Sequence, residues 1–230
     1  MRNNARGNLK DLVAKIVGVV PDALGLAVKA ITAEQYSRRV TAAVERMYYG
    51  ITRGGVPVWR AKQLFRDEMK RVTKAGLKDA FIQGADDIGI AEDELINADW
   101  ADLDKIITEE QSHIDGFADY IGEQAKREGS TIDSVTVRAD LWANRWTDVR
   151  TRAKLILGKD GKLEWVYGDT EHCDTCLALN GRVKRASYWA AHVQPRNPPN
   201  SKIDCKGYQC QCTLEPTEKP ISKGRLPFGL

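Results

Sequence analysis

The chain has 230 residues, 42% of them hydrophobic and 29% charged, with a formal net charge of +3. That length holds one sizeable domain or two small ones; the composition is that of a soluble globular protein and excludes disorder throughout, while so small a net charge names no partner by itself. The charge is unevenly laid out, with net +7 over residues 1–90, −10 over 91–133 and +6 over 134–230. A basic, acidic, basic order suits neighbouring segments or copies that dock through complementary fields, or an acidic helix that faces water.

Residues 1–33 form the first expected segment. Met1 to Lys10 is basic and Leu12 to Ile31 largely apolar, which imitates a leader, but Lys15, Pro21, Asp22 and Lys29 interrupt the run. Charges inside it are costly in hydrocarbon, so membrane insertion is not expected. The spacing of Leu12, Val13, Ile16 and Val20, then Leu24, Ala27, Val28 and Ile31, gives an amphipathic segment that lies on a protein surface.

Residues 34–157 read as a helical domain. Tyr36, Val40, Val44 and Met47 recur at helical spacing up to the Gly54-Gly55 breaker, and Val58, Ala61, Phe65, Met69 and Val72 resume it after Pro57. Two helices joined by so short a turn should pack antiparallel. Ile96, Trp100, Leu103, Ile107, Ile114, Phe117 and Ile121 then step by three and four with Glu110 in the one gap, which predicts a single long helix able to pack in a bundle or along a copy of itself. A fourth helix is expected to carry Leu141, Trp142, Trp146, Val149, Ala153 and Ile156. His113 reads as a surface histidine.

Beyond Gly158 the texture changes. Lys159-Asp160-Gly161-Lys162 predicts a tight hairpin turn and Leu163 to Tyr167 a strand around Trp165. Gln194 to Ser201, rich in Pro and Asn, predicts a loop. Residues 158–216 thus form a small module, and 217–230, with Pro220 and Pro227, an extended tail without a core of its own. The fold class is α+β: a mostly helical amino-terminal region of long amphipathic helices, followed by a small β-hairpin and a loop-rich, cysteine-stapled carboxy-terminal module.

All five cysteines fall in that module: Cys173 and Cys176 as C-x2-C, then Cys205, Cys210 and Cys212. A C-x2-C knuckle aims two thiolates at one point, and a second sulfur-bearing segment completes a tetrahedral structural Zn²⁺ site. The expected ligand set is Cys173 and Cys176 with Cys210 and Cys212, which share a face if extended, although spacing alone does not choose between these and the alternates. Cys205, which could form a looser knuckle around Gly207, and His172, beside Cys173 but expected to point away, are the alternates. Disulfides remain a competing reading, although an odd count leaves one thiol over. So do reduced structural thiols and a Cys-His pair with His172 or His192 as base.

The segment His172-Cys-Asp-Thr-Cys-Leu-Ala-Leu-Asn-Gly181, with Trp165 before it and Cys205-Lys-Gly-Tyr-Gln-Cys-Gln-Cys-Thr-Leu214 after it, resembles the phage head morphogenesis family, the minor head proteins of the Mu F type. The resemblance covers about residues 135–216 and departs from the family at Cys205 and at Gln211, where many relatives carry Arg. It implies a low-copy virion protein at the phage head or head-tail junction, made in the bacterial host cytoplasm. The portal and major capsid proteins are its implied partners.

No G-x4-GK[ST], H-E-x2-H or G-x-S-x-G occurs in the chain, which removes the easy enzyme classes. The expected function is that of a non-enzymatic minor capsid protein supporting head assembly or DNA packaging and ejection. The alternative is a zinc-module nucleic-acid-binding protein, with Arg182, Lys184, Arg185, Lys202 and Lys206 tracking phosphates and Tyr188 and Trp189 stacking bases. An enzyme built on Asp169, Glu171, Asp174 and His192 is a third reading; each of the four also serves as cap, turn former or surface group.

Overall fold

The computed structural model describes residues 30–196, 200–208 and 210–227. The amphipathic segment expected over 1–33 lies outside the described residues apart from its end, and the compact body begins at Ile31. There the backbone is tied down twice: the Ile31 N–H donates to Asp79 at 2.7 Å and the Trp146 indole donates to the Ile31 carbonyl at 3.0 Å.

Helix α1 (Ala33–Thr52) starts at a reciprocal cap. The Thr32 hydroxyl accepts from the Gln35 amide while the Gln35 side chain accepts from the Thr32 amide, which satisfies two donors that a helix start leaves unpaired. The chain turns at Gly54-Gly55, where Gly55 sits at φ +63, and Pro57 leads into α2 (Val58–Asp86). The two helices are antiparallel: Arg46 pairs with Glu68, and the Tyr36 ring lies against Gly76.

The long helix expected over 96–121 is two helices, α3 (Asn97–Ser112) and α4 (Ile114–Lys126), hinged at His113. Ile96 is exposed, whereas Leu103, Ile107, Ile114, Phe117 and Ile121 are buried. The gap residue Glu110 is buried as well, 3.2 Å from Arg145. The expected fourth helix also divides, at Asn144, into α5 (Asp133–Ala143) and α6 (Arg145–Leu157). No glycine or proline stands at either break, so the bends follow from what is packed against them.

Beyond α6, β1 (Lys162–Val166) is central in an antiparallel sheet of order β2-β1-β3, with β2 (Val183–Arg185) and β3 (Thr213–Pro216) on its flanks. The turn before β1, closed by Gly161 N–H to the Gly158 carbonyl at 2.7 Å, joins a helix to a strand rather than two strands. The hairpin expected at 159–162 is therefore a connector, and the partners of β1 come from farther along. Leu163 and Trp165 of β1 face a second core with Leu214, Leu179 and Trp189, while Glu164 on the other face meets Lys219 at 2.6 Å. Short helices α7 (Asp174–Leu179) and α8 (Ala186–His192) complete the module. The tail runs extended across it: Ser222 N–H donates to Val183, buried Lys184 donates to the Ser222 and Gly224 carbonyls, and Leu226 is buried. The chain is thus a mostly helical region followed by a small three-stranded antiparallel sheet and a cysteine-rich module.

Candidate metal centre

Cys173 is the N-cap of α7 and Cys176 lies three residues into the turn that follows. A cap side chain and the side chain at that spacing share one side of a helix start, so the C-x2-C aims both sulfurs inward. The second segment reaches them through a turn in which two residues adopt positive φ, Lys206 at +52 and Gly207 at +80. The Lys206 N–H donates to the Ile203 carbonyl at 2.9 Å and the Tyr208 N–H to the Cys205 carbonyl at 3.2 Å. That turn brings the Cys205 sulfur to the first pair. Asp204 locks the two segments together, accepting from the Thr175 amide at 3.1 Å and its hydroxyl at 2.6 Å.

The result is two three-sulfur clusters that share one residue, Cys173-Cys176-Cys205 and Cys176-Cys210-Cys212; within each, the sulfurs lie within 4.8 Å of one another. None of the five cysteines is in a disulfide. Both clusters could hold a metal ion such as zinc. Cys176, Cys210 and Cys212 of the expected set come together, but Cys173 groups with Cys176 and the alternate Cys205. His172 does not point away: its Nδ1 lies 3.8 Å from the Cys212 sulfur, and its ring stacks on Tyr167 at 4.1 Å. His192, the other candidate base, is turned elsewhere, stacked on Tyr188 with Nδ1 2.8 Å from the Tyr188 carbonyl.

So many thiols at close quarters cannot ionise independently. Hydrogen bonds from the Cys176 and Cys212 thiols hold Cys210 far below the ordinary thiol range, and the same contacts with Cys210 and Cys212 drive Cys176 far above it. Burial and the Cys210 charge push Cys205 up to about 11. Cys212 also rises to about 11, because Cys210 and burial outweigh the lowering contact with Cys176. Burial opposes ionisation of Cys173, yet the amides of Cys176 and Cys205 outweigh it and bring Cys173 below its usual value. In each cluster one thiol, Cys173 or Cys210, is thus shifted toward the thiolate, the form that binds a soft metal. The buried Trp165 indole N–H has no hydrogen-bond partner and favours the thiolate of Cys212. A thiolate at Cys212 would give this buried donor an acceptor.

Two residues absent from the sequence reading tie the centre to the helical body. Arg196, buried and at φ +57, donates to the Cys212 carbonyl and to Asn144 Oδ1, both at 3.2 Å, at the break between α5 and α6. Lys154 of α6, 1% exposed, reaches Glu215 of β3 at 2.9 Å and Asp87 at 3.5 Å. Burial works against ionising Asp87, but Arg150, at 2.6 and 2.7 Å, and Lys154 hold its carboxyl below the usual range. Neither residue belongs to a motif; Lys154 was signalled only by the run of basic residues along α6, and Arg196 by nothing in its loop.

The basic and aromatic set considered for nucleic acid is split between the fold and the surface. Trp189 is fully buried and donates to the Leu163 carbonyl at 2.9 Å, Lys184 is buried against the tail, and Arg185 donates to the Asp160 carbonyl at 2.8 Å. Lys202, Lys206 and Arg182 are exposed. Among the described residues no helix is long and apolar enough to cross a membrane. No family model, curated protein or solved structure matches the chain.

Proposed function

We propose that this chain is a structural minor head protein of a tailed bacteriophage, one that docks on portal and major capsid proteins and performs no catalysis itself. In this reading a structural zinc ion, held by thiolates of Cys173, Cys176 and the later cysteines, clamps residues 158–216 into a fixed docking piece. Zinc suits a sulfur-rich, redox-silent, four-coordinate role, and its binding free energy becomes folding free energy for a module whose own core is small. The observation that carries the reading is the convergence of both sulfur-bearing segments on Cys176 in a module anchored to α6 by Lys154 and Arg196. The resemblance of the same cysteine segments to head morphogenesis proteins supplies the biological setting. Nucleic-acid binding through the module is the weaker reading, because Lys184 and Trp189 are engaged internally.

Mass spectrometry of purified particles of the phage that encodes the chain tests the biology: the protein should be present at low copy beside the portal. DNA-filled particles that lack it would overturn the assignment. The Cys176→Ser protein should lose its metal and the ordered module while keeping its helices. A C176S melt and metal content equal to those of the unaltered chain would refute the clamp.

A further inference from the structure

We propose that the cysteine cluster is a two-metal thiolate centre in which the Cys176 sulfur bridges two divalent ions, one in each three-sulfur cluster. The inference rests on the metal-clamp reading above and deepens it. Ligand sulfurs around one tetrahedral zinc, each at about 2.3 Å, stand about 3.8 Å apart, so sulfurs within 4.8 Å of one another are close to ligand spacing. Two such groups exist and they overlap only at Cys176. Four cysteines never close on one point, since Cys173 and Cys205 group with Cys176 on one side and Cys210 and Cys212 group with it on the other. A single ion would therefore draw on one cluster and leave two sulfurs of the other without a role.

Around the second ion, Cys176, Cys210 and Cys212 need one more ligand; His172, with Nδ1 3.8 Å from the Cys212 sulfur and its ring stacked on Tyr167, stands just outside the three-sulfur group and would have to turn inward to supply it. A three-sulfur, one-nitrogen set is common for zinc. Cys173, Cys176 and Cys205 of the first cluster line a cleft of about 270 Å³ together with Glu171, Tyr208 and, from the side of the second cluster, His172 and Cys210. The fourth position of the first ion would be completed from the cleft side, by Glu171 or by solvent.

The test is the metal content of the intact chain, loaded with zinc, freed of loosely held ions by gel filtration over a weak chelator, and quantified against amino-acid analysis. Two zinc ions per chain are expected. One per chain overturns the bridge and leaves the single clamp standing; none overturns both. Exchange with ¹¹³Cd gives an independent reading on the unaltered protein: two cadmium resonances with the Cys176 β-protons coupled to both are expected, and a single resonance contradicts the proposal. The Cys205→Ser chain should fall from two ions to one, whereas an unchanged metal ratio in C205S would overturn the assignment of Cys205 to the first ion.

Discussion

Asp148 of α6 is buried, and neither of its carboxylate oxygens has a hydrogen bond. Burial pushes its pKa up to about 7, against the pull of Arg196 and Arg145. The folded chain thus keeps a proton that the unfolded chain releases near the ordinary carboxylate value. Its contribution to stability is complete below about pH 4 and is lost as pH rises to about 7. Asp148→Asn, which resembles the protonated form, should match the parent near pH 4 and exceed it at pH 8 by on the order of 4 kcal/mol at most. Paired melts across that range check this, and a constant difference would refute it. At this scale the sequence was partly readable. The C-x2-C announced itself by its spacing, and the turn around Gly207 was open to the sequence as one way to bring Cys205 in, but not that Cys205 would join Cys173 and Cys176 rather than Cys210. Arg196 and Trp165 act through contacts made only after folding.

Elements were readable wherever the apolar period ran unbroken. The first two helices follow it from Tyr36 to Phe81, and β1 alternates around Trp165. The breaks at His113 and Asn144 were hidden, because Glu110 turns inward to Arg145 and Asn144 serves Arg196 of the module, and neither need shows in hydropathy. Close helix contact is sharper than period. A side-chain carbon added at Gly84 of α2 would strike the Arg150 carbonyl and Ala153 of α6. Gly84→Ala should therefore destabilise the chain by about 1–3 kcal/mol despite alanine's better helix propensity. Gly116 of α4, which faces open space, should gain up to about 1 kcal/mol on the same change. Urea titrations of G84A and G116A check both, and like-signed shifts would refute the packing argument.

Across the whole molecule, the acidic stretch that composition isolates is used within the chain. Asp115 meets Arg66 at 2.6 Å, Asp119 meets Lys62 at 2.8 Å and Glu92 meets Lys78 at 3.3 Å, all from α2. Composition showed complementary charge but not that its partner was the same chain. The body and the module share α6, whose Ala153 lies in the helical core and Leu155 in the module core, with buried Lys154 between them. Lys154→Met removes one member of a buried charge cluster and should cost about 3 kcal/mol. Separate unfolding of module and helices by calorimetry is expected in K154M, and a single unshifted transition would refute the coupling.

The central claim is that metal held by the converging cysteines orders the carboxy-terminal module. Hydrogen exchange read by mass spectrometry, on the full chain before and after a strong chelator, tests it most directly. The account predicts that amides of residues 162–216 lose protection while those of 33–126 keep theirs. Protection unchanged throughout, or lost evenly along the chain, would contradict it.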